Sequence, residues 1–426
     1  MTELYNFFIN KTILILGFGL EGKSTLKILE GSPSQGTIPC EIIIADKIPE
    51  VIADLPYKTY SGEDYLDAIY NDDVDIIMKS PGIPLLGEIP ASIKEKITSQ
   101  TDLLLRFRKN KIIGVTGTKG KSTTSSLIHH ILKSCGKPVE LIGNIGVPPL
   151  EFIISQGDYL PRVGGETDSA VTAVCEISCH QLEYVKASPD VAILLNIFEE
   201  HLDHYNSFED YKKAKENIFR FQHGNDVLIQ GDDEDLKKYR VLINPENAKL
   251  RGEHNYNNMA VAIKTAVIFG CDEKEAVCAA ESFGGLPHRL EVFAEINGVE
   301  FVNDSISTIP EAVIAAIDAF PDTDTLIIGG MDRGINYNEL IAFLPNCGIM
   351  NLIALPDSGW KIADLIPADS NLNIKYTKNM EKAVRYALKV TKKRCILSPA
   401  AASYGFYKNF EERGEHFKKL VKSINM

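Results

Sequence analysis

Short runs of apolar, mostly β-branched residues alternate with longer amphipathic stretches almost from one end of the chain to the other. Thr12–Leu16, Glu41–Ala45 and Val74–Met78 are compact apolar runs rather than strict alternations, the pattern of strands buried on both faces. Helix-length segments separate them, which predicts βαβ units around a parallel sheet. A second series runs through Lys111–Val115, Ala170–Glu176 and Val191–Phe198. The third opens differently: in Glu295–Phe301 the pair Asn297-Gly298 sits between alternating residues, a type I′ hairpin signal. Strands of parallel type follow at Thr325–Ile328, Asn351–Leu355 and Cys395–Leu397. The restarts of the pattern predict three α/β domains, 1–102, 103–287 and 288–426, repeated in architecture but not in sequence.

Composition narrows the class. Among 426 residues, 58 Asp and Glu outweigh 45 Lys and Arg, for a net charge of −13. Such a balance argues against a general nucleic-acid or anionic-membrane surface, though a few backbone N–H groups can still hold a phosphate on an acidic protein. The eight cysteines show neither a zinc spacing nor a disulfide framework, which fits a reducing compartment. The start, Met-Thr-Glu-Leu, lacks a basic leader, and no apolar run approaches the ~18 residues of a membrane span. A cytoplasmic enzyme is expected, with a monomer as the default state.

The strongest local signal is Gly114-Val-Thr-Gly-Thr-Lys-Gly-Lys-Ser-Thr-Thr124, which follows a strand run and precedes a helical stretch, Thr123–Lys133. Such a turn points several N–H groups and the positive end of a helix dipole at one spot. Lys121 would reach the β and γ phosphates of a nucleotide, and Ser122 would offer its hydroxyl to Mg²⁺. The loop departs from the common phosphate-loop spacing, because five residues separate Gly114 from Gly120 and Gly117 sits inside it. A carboxylate is then needed at a neighbouring strand end to hold the metal. Glu176 closes one strand run, and His201, in Glu199-Glu-His-Leu-Asp-His204, follows another; both are candidate ligands at the carboxyl edge of a sheet.

In the first domain, Gly17-Phe-Gly-Leu-Glu-Gly22 follows a strand, opens a helical stretch and precedes Asp46 at the next strand end. That fingerprint places a phosphate or pyrophosphate against a helix N-terminus, with NAD as only one such molecule. Asp46 could bind a ribose hydroxyl or a base edge, or be an ordinary turn carboxylate. Ser80-Pro-Gly82 is a tight turn at the same sheet edge.

Taken in order, the phosphate loop, Glu176, His201, His254-Asn-Tyr-Asn-Asn258, Leu286-Pro-His-Arg289, Asn303-Asp-Ser305, Leu397-Ser-Pro-Ala-Ala-Ala-Ser403 and Asn409-Phe-Glu-Glu-Arg-Gly414 resemble the Mur ligase superfamily over essentially the whole chain. Within it, the first domain is similar to that of the branch that adds glutamate to UDP-N-acetylmuramoyl-L-alanine. The resemblance implies a Rossmann-like N-terminal domain for the uridine nucleotide, a central P-loop ATPase domain and a Rossmann-like C-terminal domain for the amino acid. It places Gly17, Asp46, Lys47, Ser80 and Gly82 around the UDP part and Asn144 at the muramoyl group. ATP falls to Gly117, Thr118, Lys119, Gly120, Lys121, Ser122 and Thr123, to Asn255 and Asn258 near adenine and ribose, and to Arg289 and Asp304. Two Mg²⁺ sites are implied on Ser122, Glu176, His201 and Lys215, the last as a lysine carbamylated by CO₂. Catalysis would rest on Lys121, Glu176, His201 and Lys215, and proceed through an acyl phosphate that the glutamate amine attacks, in peptidoglycan precursor synthesis.

Glutamate is expected at Thr308, Arg333, Ser403 and Phe410. Here the chain departs from its relatives: it reads Asp304-Ser-Ile-Ser-Thr-Ile309 where they commonly read Asp-Ser-Lys-Ala-Thr-Asn, so a cationic position has become Ile306. Arg333, in Gly329-Gly-Met-Asp-Arg-Gly334, falls where the family often carries a lysine, and an Arg can hold a carboxylate with two parallel bonds. Thr308-Ile-Pro-Glu311 has the form of a capping box. The departures at Ile306 and Tyr404 leave L-glutamate as the alternative to D-glutamate. A Rossmann dehydrogenase, a nucleotide-dependent switch and a folylpolyglutamate synthase are the remaining competitors.

Overall fold

A computed structural model describes residues 3–31, 38–85, 87–155, 171–198, 204–205, 207–250 and 252–424. His201 lies outside the described residues. The chain forms two compact units, Met1–Phe283 and Gly284–Met426.

The first unit holds two parallel sheets. One consists of β1 (Thr12–Leu16), β2 (Glu41–Asp46), β3 (Lys58–Ser61), β4 (Ile76–Lys79) and β5 (Ile97–Thr98), in the order β3-β2-β1-β4-β5. The central β1 is buried from Ile13 to Leu16, which is why its sequence is a continuous apolar run. Beyond it the chain turns at Gly17, whose φ is +91°, and enters the helix Leu20–Glu30. A Cβ on Gly22 would stand 2.2 Å from the Gly17 carbonyl oxygen, so only glycine lets the helix approach its own turn this closely.

The other sheet consists of β6 (Ile112–Thr116), β7 (Val139–Gly143), β8 (Thr172–Glu176), β9 (Val191–Leu194) and β10 (Val227–Gln230), in the order β10-β9-β6-β8-β7. The run expected to be a strand over Val191–Phe198 leaves the ladder after Leu194. Its last residues turn to bracket the phosphate loop: the Asn196 carbonyl accepts from Thr118 N at 2.9 Å, and Phe198 N donates to Thr118 Oγ1 at 2.9 Å.

The boundary expected between residues 102 and 103 falls inside the helix Gln100–Phe107. Asp102 is fully buried there, and its carboxylate accepts from Lys186 N at 2.7 Å and from Thr98 Oγ1 at 2.8 Å. Gln100 Nε2 donates to the Glu21 carbonyl and to Thr25 Oγ1 at 2.9 and 3.0 Å. One apolar cluster joins Ile13 and Ile15 of the first sheet to Leu103, Leu150 and Val185. Burial of this shared surface, favourable at roughly 25 cal/mol per Å², makes the two sheets a single unit.

The second unit is built on β11 (Glu291–Ile296), β12 (Val299–Asn303), β13 (Thr325–Gly330), β14 (Asn351–Asp357), β15 (Asn373–Tyr376) and β16 (Arg394–Leu397), ordered β11-β12-β16-β13-β14-β15. β11 and β12 form the expected hairpin, with φ of +53° at Asn297 and +79° at Gly298. The helix Pro310–Ala319 packs Val313 and Ile317 against Leu326 and Ile328 on one face. On the other, the helices Met380–Val390 and Phe410–Ile424 cover Ile327 and Ile353 with Met380, Val384 and Phe417.

The capping box expected at Thr308 does not form. Pro310 takes the first helical position, where a missing N–H costs nothing, so Ile309 becomes the cap residue and makes no side-chain cap bond. All eight cysteines are free thiols. No helix among the described residues is long and apolar enough to cross a membrane.

Candidate active site

The phosphate loop is fixed from both sides. Gly120, with φ +87°, caps the helix Lys121–Ser134, whose first turn carries Ser122 and Thr123. A Cβ on Gly117 would lie 2.9 Å from Leu195 Cβ, and one on Gly120 would lie 3.0 Å from Asn258 Oδ1, so both glycines are demanded by close neighbours. Asn196 clasps Lys119 through two bonds, accepting from its N–H at 2.9 Å and donating to its carbonyl at 3.0 Å. Sequence reasoning missed Asn196; its only signal is its place directly after a buried strand, next to the loop.

Lys121 Nζ curls back and donates to the carbonyls of Gly117 and Thr118 at 2.8 and 2.9 Å. Lys215 lies on the helix Phe208–Arg220, is 1% exposed, and donates to the same Gly117 oxygen at 2.9 Å. Its ammonium sits 4.8 Å from the Tyr211 ring centre, and the Tyr211 hydroxyl meets Thr118 Oγ1 at 2.9 Å. The loop, Lys121, Lys215 and Asn258 are therefore gathered in one place, and Asn255 neighbours Asn258 at 3.4 Å.

Glu176 ends β8 and is 1% exposed. Its Oε1 accepts from Asn144 Nδ2 at 2.9 Å, while its Oε2 is buried without a hydrogen-bond partner. A buried carboxylate oxygen left this way is costly, and a divalent cation would satisfy it. The residues thus fit a bound Mg²⁺, although among the described residues no cluster of three metal-ligating side chains is assembled. Asn144, assigned to the muramoyl group, is hydrogen-bonded to the metal candidate itself.

At the carboxyl edge of the first sheet, Gly17, Asp46 and Ser80 come together. Ser80 Oγ donates to the Gly17 carbonyl at 2.9 Å, and Asp46 accepts from Phe18 N and Ile48 N at 2.6 and 2.8 Å. Asp46 therefore fastens the glycine turn. Lys47 points to Glu63 at 3.3 Å, both side chains being exposed, and Gly82 stands in open space.

In the second unit Asp304 is 2% exposed and accepts from Leu290 N at 3.1 Å, Ser398 Oγ at 2.7 Å and Ser307 Oγ. Burial pushes its carboxyl up to about 6, against the pull of these donors and of Arg289. Arg333 Nη2 reaches the Thr308 carbonyl at 3.4 Å, which brings those two glutamate candidates together. Ser403 is buried, and the Phe410 carbonyl accepts from Ser305 Oγ at 2.8 Å.

Comparison with known proteins gives the chain a family. Residues 115–250 match the model of the Mur ligase middle domain. The UDP-N-acetylmuramoylalanine–D-glutamate ligase of Geobacter sp. (strain M21) is 31% identical over 97% of this chain and 98% of its own length. That of Aquifex aeolicus is 32% identical over 96% and 98%. Among solved structures, a UDP-N-acetylmuramate–alanine ligase from Thermotoga maritima superposes with a TM-score of 0.54 over 97% of this chain and all of its own, at 17% identity, a likeness of fold. The chain belongs to the UDP-N-acetylmuramoylalanine–D-glutamate ligase family of Mur ligases.

Proposed function

We propose that this protein is an ATP-dependent amide ligase that joins D-glutamate to the alanyl carboxylate of UDP-N-acetylmuramoyl-L-alanine, in peptidoglycan precursor synthesis. The observation that carries the reading is the convergence of Lys121 and Lys215 on the phosphate loop, within a chain of this family. The relatives described above are named for D-glutamate, which disfavours the L-glutamate alternative.

The uridine nucleotide lies at Gly17, Asp46, Lys47, Ser80 and Gly82, and its muramoyl-alanine arm runs towards Asn144. The loop Gly117–Thr123 cradles the ATP phosphates, with Asn255 and Asn258 towards the nucleoside. Lys121 leaves the Gly117 carbonyl for the transferred phosphoryl group and offsets the charge that builds there. The alanyl carboxylate oxygen attacks the γ-phosphorus, the bond to the β-phosphate breaks, ADP leaves and an acyl phosphate is formed. The glutamate amine, its carboxylates held by Arg333, Thr308, Ser403 and Phe410, attacks the acyl carbon and loses a proton as phosphate leaves. Arg289 and Asp304 are assigned to ATP through the family resemblance.

Ser122 and Glu176 would hold Mg²⁺, joined by His201 and by Lys215 in its carbamylated form. Bound there, the ion neutralises phosphate charge and orients the phosphoryl group. The orphaned Glu176 Oε2 and the burial of Lys215 against the phosphate loop support this part of the reading; the carbamate forms when the Lys215 amine attacks the carbon of CO₂ and sheds a proton.

ADP release should require both UDP-N-acetylmuramoyl-L-alanine and D-glutamate, and mass spectrometry should find the glutamyl adduct. Release that ignores either molecule, or that answers only to L-glutamate, overturns the proposal.

A further inference from the structure

The carboxyl edge of the third sheet encloses a cavity of about 240 Å³. Gly329 and Gly330 at the end of β13 line it, as do Leu355 and Pro356 at the end of β14. It opens beside the switch of strand order, where β13 pairs with β14 on one side and with β16 on the other. Open α/β sheets take their ligands at such points. Of the four glutamate candidates only Ser403 lines it, and Thr308, Arg333 and Phe410 do not.

Its charge is unusual for this chain. Lys378, Arg413 and His416 line it and no Asp or Glu does, in a protein with 58 acidic residues against 45 basic ones. Arg413 is 1% exposed, and each of its three bonds goes to a neutral acceptor: Ser305 Oγ at 3.0 Å, the Ala401 carbonyl at 3.0 Å and the Ser305 carbonyl at 2.8 Å. A guanidinium has five N–H donors, so donor capacity remains. Burial lowers the Arg413 pKa to about 10, which leaves the side chain cationic at neutral pH. Buried cations are ordinarily matched by an anion, and among the described residues no ion pair supplies one here. Gly330 lets the backbone pass close to the guanidinium, for with φ +153° a Cβ there would lie 2.5 Å from the Ala402 carbonyl oxygen and 2.9 Å from Arg413 Nη1.

Apolar groups complete the lining, chiefly Leu355, Met380 and Phe406. A dry apolar cavity of roughly 150 Å³ accepts benzene, so this one has room for a ring or branched chain together with a carboxylate. We propose that the cavity is a second small-molecule site of the C-terminal unit, taking a compact monocarboxylate whose anionic end meets Arg413 and whose apolar body lies against Leu355, Met380 and Phe406.

Calorimetric titration of the full chain with benzoate, phenylacetate and isovalerate, each beside its neutral amide, tests this without reference to turnover. At least one acid should bind saturably, and its amide at least tenfold more weakly. Leu355→Phe, which fills the cavity, should abolish that binding, and Lys378→Glu at the exposed rim, where folding is not at stake, should weaken it severalfold. The proposal fails if no acid binds, if an amide binds equally well, or if Lys378→Glu leaves binding unchanged. It fails also if saturating D-glutamate displaces the acid, since the cavity then belongs to the amino-acid site.

Discussion

Lys121 and Lys215 donate to one oxygen, the Gly117 carbonyl, from different helices. The Lys121 ammonium adds positive charge where the loop N–H groups and the helix dipole already favour an anion. Lys121→Ala should therefore lower kcat about 10³-fold, roughly 4 kcal/mol of transition-state stabilisation. The KM for the uridine substrate should scarcely move. Steady-state ADP release, with folding checked by circular dichroism, measures both.

The bond from Asn144 to Glu176 makes a further test of the metal reading. Asn144→Ala leaves the carboxylate in place but removes the side chain that orients it. The Mg²⁺ concentration for half-maximal activity should rise by about tenfold, the lower end of what lost orienting partners cost. Glu176→Gln should raise it further, and magnesium titration of the two variants separates the effects.

Arg333 is exposed and anchored only loosely, at 3.4 Å, to the Thr308 carbonyl, so its fork is available to a carboxylate. Arg333→Lys keeps the charge and loses the paired geometry. The KM for D-glutamate should rise about tenfold, or ~1.4 kcal/mol, while the KM for ATP stays as it was.

Asp304 gives a pH signature. Its folded pKa lies near 6, above the ordinary value of 3.8, so between these values the folded state holds more protons than the unfolded one. Stability contributed by this group is full below about pH 4 and is lost as pH rises towards 6. Denaturant titrations across that window should show Asp304→Asn lacking this component of the decline. Parallel curves for the two proteins would remove the argument.

The strands were legible because parallel strands covered on both faces must be apolar throughout; β1 and β6 coincide with their runs to within a residue. The loop was legible because its glycines and lysine are contiguous. What eluded the sequence depends on neighbours remote in the chain. Asn196 acts on Lys119 from the segment that follows β9, and nothing local marks it. The pattern at Thr308 had the right residue types, but Pro310 outranked it in setting the helix start. Asp46 was left between ligand and turn, and the structure shows it holding the turn backbone.

Gly414 explains one motif glycine that spacing could not. A Cβ there would fall 2.2 Å from His288 Nδ1 and within 3 Å of the Asn303 side chain. Gly414→Ala should cost about 1–3 kcal/mol through overpacking, read as a lowered melting temperature. Asn303 and His288 precede Asp304 and Arg289, so loss of activity should accompany it.

The buried Asp102 also bears on how this chain can be taken apart. Three sheets invite dissection into three pieces, yet a cut at residue 102 would sever a helix whose carboxylate closes bonds to Thr98 and to Lys186. It would also bare the leucines that follow. The two compact units meet in sequence after Phe283. Recombination between relatives, whether in a laboratory or over evolutionary time, has a natural crossover at that joint. The first unit, with its two sheets, should then travel as one block.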